Sequence, residues 1–268
     1  LTAAVNTAIK KQEKRLAQIS EKQKEAQSCE TVRVKGELLT ANLYALERGM
    51  KSCELANFYD EAGGTMKIAL DPTLTPAQNA QAYFKKYRKQ KRTLEALAPQ
   101  EKETRAELDY LGSVLPFLAS AGSLDDLTAA EEELTDMGLV KAPQARTKKK
   151  RPEIPFRAYE MDGFRVYAGR SNVQNDRLIR AGAPDDVWLH ARGLHSCHVV
   201  IRTDGKPVPD GVLAFAAGVC AKYSAGKGEK IPVDYCPVRR VKKPPKSKPG
   251  FVTYTDFQTI LGDPALAE

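Results

Sequence analysis

The sequence predicts an α+β protein, with an antiparallel coiled-coil helical hairpin carrying a small inserted knob and then a mixed α/β domain. Three observations lead there. Residues 2–28 hold no Gly or Pro and carry an apolar seam of heptad type. A second helical run opens at Thr75-Pro76. Beyond residues 141–155, a stretch containing Lys148-Lys149-Lys150-Arg151 and three prolines, the texture changes to short apolar strands interleaved with helices.

In the first run Val5, Ile9, Leu16 and Ile19 follow a 4-7-3 spacing that continues imperfectly through Gln12, Gln23 and Ala26. At about 1.5 Å per residue such a helix reaches roughly 40 Å. So narrow a seam needs a covering partner. The second run supplies it through Ala80, Phe84, Tyr87, Lys91 and Leu94 towards Leu108 and Leu111. Thr75 is placed to cap this helix and Pro76 to take its first position, while Pro99 is expected to break or kink it. Between the runs, residues 31–74 read as a knob: a short helix around Leu38–Lys51, a Gly63-Gly64 turn and a strand at Met66–Leu70.

A helix at Leu124–Met137 and the linker at 141–155 close residues 1–140 off from residues 156–268. Strands are expected at Phe164–Ala168, Val187–His190, His198–Ile201, Ile231–Val241 and Phe251–Tyr254. Helices are expected at Arg177–Arg180 and Gly211–Tyr223.

Charge divides the two parts. The total is +8, but residues 1–140 carry 19 basic against 21 acidic side chains, leaving 23 against 13 on residues 141–268. The back part is the candidate polyanion surface. The five cysteines are odd in number, scattered and without a CxxC pair, which favours reduced thiols in a cytosol. No apolar run approaches the roughly 20 residues of a membrane span, and no signal peptide opens the chain, although Leu1 in place of Met suggests a missing start.

Three constellations could carry function. Gly169-Arg170-Ser171-Asn172-Val173-Gln174-Asn175-Asp176 follows an expected strand and precedes a helix, a place suited to phosphate or to capping by Asn175 or Asp176. It lacks the GK[ST] ending of a P-loop. All three histidines, His190, His195 and His198, fall with Cys197 within nine residues. Strand alternation would separate such neighbours, and no second ligand pair has metal spacing, so structural or RNA-contacting histidines are favoured over zinc or a Cys-His catalytic pair. Arg239, Arg240, Lys242, Lys243, Lys246 and Lys248 lie in a Pro-stiffened loop, and in so basic a domain polyanion contact is the better reading. Tyr235 and Tyr254 flank it and could stack on bases, though core packing suits each as well.

Residues 163–260 resemble the RNA-binding (NFACT-R) domain of the NFACT family. The resemblance rests on the turn at Gly169–Asp176, the Asp-x-Trp-Leu-His strand at Asp186–His190, the His198–Ile201 strand, and the Val-Lys-Lys-Pro…Lys-Pro-Gly-x-Val tail at Val241–Val252. The front is similar too: Lys35–Asn42 to the family's middle segment, Leu70-Asp71-Pro72 with Gln78-Asn79-Ala80 and Tyr83–Tyr87 to the start of its second coiled-coil helix, and Glu107–Leu111 to its Glu-Leu-x-Tyr-Leu. One departure is His195-Ser196-Cys197, where the family has Pro-Gly-Ser before the histidine. A changed turn is expected there, since Gly adopts backbone conformations that Ser does not.

The resemblance implies a noncatalytic, cytoplasmic factor without cofactor or metal. Such factors bind large ribosomal subunits obstructed by peptidyl-tRNA and recruit tRNA for C-terminal tailing of the stalled peptide. It implies rRNA and tRNA as partners of the basic domain and ribosomal proteins at the coiled-coil tip. It further implies an N-terminal domain and helix-hairpin-helix segment that this chain lacks. The RNA-contacting candidates are Arg170, Asn172, Gln174, Asn175, Asp176, His190, Arg192, His198, Arg239, Arg240, Lys242, Lys243, Lys246 and Lys248. Some bacterial relatives are described as fibronectin-binding adhesins, which makes fibronectin the alternative partner. A metal- or thiol-dependent enzyme on the His/Cys cluster is the third reading.

Overall fold

A computed structural model describes residues 1–141, 153–226 and 229–267. The chain divides into two compact units, Glu13–Arg105 and Leu1–Gln12 with Ala106–Glu268. Residues 142–152 of the expected linker, Lys148–Arg151 among them, lie outside the described residues.

Helices α1 (Thr2–Ala26) and α3 (Pro76–Ala119) each give residues to both units. Within Glu13–Arg105 they touch in the antiparallel sense, Gln23 Nε2 donating to Glu101 at 2.7 Å and Gln90 Nε2 to the Glu25 carbonyl at 3.2 Å. Thr75 and Gln78 cap α3 reciprocally, each side chain accepting from the other's amide, with Pro76 at the first helical position. Pro99 does not break α3. It is exposed two residues after the buried Leu97, so water can take the place of the lost backbone bond.

The expected helix at Leu38–Lys51 lies earlier, as α2 (Cys29–Ala41). At Gly36 the Phe84 ring approaches to 3.2 Å from where a Cβ would stand, so α2 packs on α3 through this glycine. The strand expected at Met66–Leu70 is β2 (Thr65–Ala69), paired antiparallel with β1 (Ser52–Ala56), which the sequence did not announce. Leu38, Leu39, Leu46, Cys53, Ile68, Leu70 and Ala80 form this unit's core.

The other unit holds α4 (Leu124–Asp136), β3 (Arg157–Met161), β4 (Phe164–Ala168), α5 (Asn172–Ala181), β5 (Val187–Ala191), β6 (Val199–Arg202), α6 (Asp210–Lys222), β7 (Ile231–Pro237), β8 (Val241–Lys242), β9 (Thr253–Tyr254) and β10 (Gln258–Gly262). Six strands form one antiparallel sheet in the order β10-β7-β5-β6-β4-β3. Strand alternation sends Leu189, Val199, Ile201 and Val233 to the face covered by α6. Trp188, Val200 and Cys236 go to the opposite face with Leu178 of α5. β8 and β9 form a separate ribbon, Lys242 opposite Thr253, whose connection carries the basic loop. Val5, Leu111, Val114 and Leu134 make a further apolar cluster, tying α1, α3 and α4 together within this unit.

Helix α5 starts five residues before the expected Arg177. Ser171, and neither Asn175 nor Asp176, is its cap, accepting from the Gln174 amide at 3.3 Å. The edge strands β3 and β10 had no clear alternation to mark them.

Candidate nucleic-acid interface

The Gly169–Asp176 turn is a structural brace, and its buried members are withdrawn from any ligand. Asn172 is 4% exposed: its amide and Nδ2 donate to the Glu133 carboxylate at 2.9 and 3.0 Å, and Nδ2 also reaches Ser113 Oγ at 2.8 Å. The same carboxylate accepts from Tyr110 at 2.7 Å. Burial pushes the Glu133 pKa up, and these hydrogen bonds oppose it. Gln174 is spent on the Arg170 amide at 3.0 Å and the Ile154 carbonyl at 3.1 Å. Asn175 accepts from the His198 amide at 2.9 Å. Arg170 donates to the Pro155 carbonyl and pairs with Asp126. Short amides ahead of a helix resemble a phosphate cradle in sequence, but here they satisfy buried backbone groups.

On the α5 face of the sheet lies an aromatic group. Alternation in β5 puts Trp188 and His190 on one side, their rings 5.8 Å apart and 5° from parallel. The His198 edge meets Trp188 at 5.3 Å and His190 at 5.2 Å, and Tyr254 of β9 lies 4.8 Å from Trp188. Burial pushes the half-buried His190 down to about 4, so it is neutral at pH 7. Burial lowers His198 as well, and its Nδ1 has no hydrogen-bond partner among the described residues. Cys197 points into the opposite, α6-covered core, and burial pushes its thiol up. Among the described residues no three His, Cys, Asp or Glu side chains converge as a metal set. The departure at His195-Ser196-Cys197 costs no strain, because none of the three has a positive φ and the left-handed position falls on Gly193 at +67°.

The aromatic group reaches the surface at Phe257, whose ring lies 5.2 Å from Tyr254 and is 44% exposed. Arg192 lies 5.3 Å from the Phe257 centroid. Buried Asp234 holds the Arg192 guanidinium at 2.7–3.1 Å, and accepts from Tyr254 at 2.9 Å and Thr259 at 2.8 Å. Burial pushes the Asp234 carboxyl up, but these hydrogen bonds outweigh it and hold it below the usual value. Sequence reasoning missed Phe257 and Asp234. The Phe257 signal was its place three residues after Tyr254; nothing local marked Asp234.

The basic loop is anchored, with its exposed cations in two states. Lys243 pairs with Asp176 at 2.9 Å, and Asp176 also accepts from the Gly250 amide at 3.0 Å. Gly250 has φ +78° and lies where a Cβ would strike Asn172. Lys248 pairs with Glu107 over the Tyr110 ring, Arg239 with Asp185, and Arg240 with Asp256 at 2.9 Å. Lys242 and Lys246 are exposed and without an ion-pair partner among the described residues. Exposed pairs of this kind contribute about 0–1 kcal/mol, so phosphates can replace their carboxylates at little cost. Arg192, Arg239, Arg240, Lys242, Lys243, Lys246 and Lys248 therefore keep their candidacy, and His190 sits beside them. Asn172, Gln174, Asn175 and His198 do not, since each is buried at 4% exposure or less. Arg170 and Asp176 are engaged within the fold.

Among the described residues no helix is long and apolar enough to cross a membrane. In comparisons with known proteins, residues 1–153 match the NFACT N-terminal and middle domains, and residues 155–256 match the NFACT protein RNA binding domain. The Rqc2 homolog RqcH of Bacillus subtilis is 40% identical over 261 residues, covering 96% of this chain and 44% of the relative. The Rqc2 homolog RqcH of Streptococcus suis is 35% identical over 267 residues, covering 98% and 48%. The chain thus spans just under half the length of these curated relatives. A solved structure, the C-terminal of the fibronectin/fibrinogen-binding protein from Streptococcus suis, aligns with a TM-score of 0.73 at 30% identity over 98% of this chain and 92% of its own. From its first residues to the end of its basic loop, this chain belongs to the NFACT family.

Proposed function

We propose that the chain is a noncatalytic binding module that holds RNA on the ribosome, as part of a ribosome-associated quality-control factor. The observation that carries this is the surface formed by Phe257, Arg192 and the cations of residues 239–248, on a domain matched to the NFACT RNA-binding description. Exposed lysines supply charge to phosphates, and Phe257 with Arg192 offers a stacking face to a base. The kinship with RqcH supports quality control as the setting. The finer form of the proposal is that the longer protein acts on large subunits obstructed by peptidyl-tRNA and recruits tRNA for C-terminal tailing. The middle segment would meet ribosomal protein at the tip of a coiled-coil hairpin, and the site of action would be cytoplasmic.

The test is RNA binding by the chain and by a Lys242→Glu, Lys243→Glu, Lys246→Glu, Lys248→Glu variant at several salt concentrations. Loss of binding is expected, with log K falling about 0.7–0.9 per log unit of salt for each phosphate neutralised in the parent. Unchanged affinity in the variant would overturn the assignment of this loop. An adhesin reading has one observation in its favour, the fibronectin/fibrinogen-binding description of the similar Streptococcus suis structure. Protease added to intact cells separates the two, because only a surface adhesin is digested.

A further inference from the structure

The near-neutral charge of residues 1–140 conceals a segment of one sign. From Pro76 to Arg92 the sequence holds six cations, Lys85, Lys86, Arg88, Lys89, Lys91 and Arg92, and no acidic residue. All six lie in α3, all are exposed, and among the described residues none has an ion-pair partner. The acids of α2 are otherwise engaged, since Arg33 holds both Glu30 and Glu37 at 2.7 and 2.6 Å.

Helical spacing sorts the six. Lys85, Arg88, Lys89 and Arg92 stand at i, i+3, i+4 and i+7 and so share one face. With the small side chains of Thr93 and Ala96 they form an open, outward-facing strip of the helix. Like charges at this spacing destabilise a helix by a few tenths of a kcal/mol per pair, so the arrangement is a standing cost to the fold. Successive turns place the cations about 5 Å apart along the axis, a regular row facing outward.

We propose that this face of α3 is a second nucleic-acid surface, one that grips the phosphate backbone of structured RNA without reading its sequence. The lining favours RNA over an acidic protein. A protein partner needs an aromatic or large aliphatic anchor at the centre of its patch, and among Lys85, Arg88, Lys89, Arg92, Thr93 and Ala96 there is none. A phosphate backbone asks only for regularly placed cations. The surface belongs to the unit Glu13–Arg105 and does not depend on the basic loop of the sheet domain.

The test is fluorescence anisotropy of the full 268-residue chain with short RNA duplexes of two unrelated sequences, over about 50–200 mM salt. Three variants are compared with the parent: Lys85→Gln, Arg88→Gln, Lys89→Gln, Arg92→Gln together; the milder Arg88→Gln, Arg92→Gln pair; and Lys242→Gln, Lys246→Gln. The four-fold variant is expected to lower the salt slope by about 3 to 4 and the pair by about half that, equally for both sequences, with helical circular dichroism unchanged. If the Lys242 and Lys246 variant lowers the slope while both α3 variants leave it untouched, this proposal falls and the sheet-domain reading stands. Polyglutamate competing as well as duplex RNA, with the α3 variants removing both, would also overturn it in favour of an acidic protein partner.

Discussion

Substitution of Asp126 by Ala should unfasten the brace on which the basic domain is mounted. Asp126 is 4% exposed and lies 2.7 Å from Arg157 Nη2, a close ion pair without hydrogen-bond alignment; Arg157 directs its Nη1 to the Gly169 carbonyl at 2.8 Å instead. The same carboxylate pairs with Arg170 and accepts from the Gly122 and Ser123 amides at 3.1 Å, completing the capping box of α4. Removing it strands Arg157, only 5% exposed, and opens the cap. Breaking one partner of a buried pair costs about 3–5 kcal/mol, and a lost cap about 1. Because Arg170 keeps 13% side-chain exposure and water can reach the cluster, the expected loss is about 3–4 kcal/mol. Trp188 is the sole tryptophan, is fully buried and lies in the same unit, so its fluorescence in a urea titration reports this unfolding. The midpoint should fall by about 1 M or more. A loss below about 1 kcal/mol would show that the cluster behaves as solvated surface pairs, refuting the reasoning.

Asp126 also sets a pH dependence. Burial pushes its carboxyl up, but the arginines and the amide and hydroxyl bonds outweigh this, so its stabilisation is present above the ordinary carboxylate range, is lost as acid titrates it, and should be missing from Asp126→Asn. His190, pushed down to about 4, favours folding with the neutral ring: the urea midpoint should decline as pH falls from about 6.5 to 4, and His190→Gln should flatten that decline. Pro99→Ala restores a backbone donor inside α3 and should raise the thermal midpoint by a few degrees; no change would mean the freed carbonyl is fully satisfied by water. At Gly262 an added Cβ would stand 2.5 Å from the Ala217 carbonyl, so Gly262→Ala should destabilise by about 1–3 kcal/mol in the same titration.

Much of the architecture was legible because it is local. Thr75-Pro76 announced the start of α3, and short runs rich in apolar residues announced β4, β5 and β6. Pro99 marks no break, because α3 continues through it although local chemistry favours a stop there. The candidate site was half legible for a related reason. The cations of residues 239–248 are exposed, and composition sees exposed charge. Asn172, Gln174 and Asn175 looked like ligand donors because a cap, a brace and a phosphate cradle use the same short amides. Only distant residues, Glu133 and Ser113, reveal that Asn172 is already engaged. Phe257 and Arg192 meet across a chain separation that no spacing rule spans.

The central claim, that this chain brings RNA-binding surface to the ribosome, is tested most directly by co-sedimentation with large ribosomal subunits over a salt series, using bare subunits and subunits carrying peptidyl-tRNA. The account predicts salt-sensitive association, weakened when Lys242 and Lys246 are replaced by Gln. A preference for obstructed subunits would assign stalled-ribosome recognition to this half of the longer protein, and equal binding would assign it to the remainder. No association with either at low salt would contradict the account.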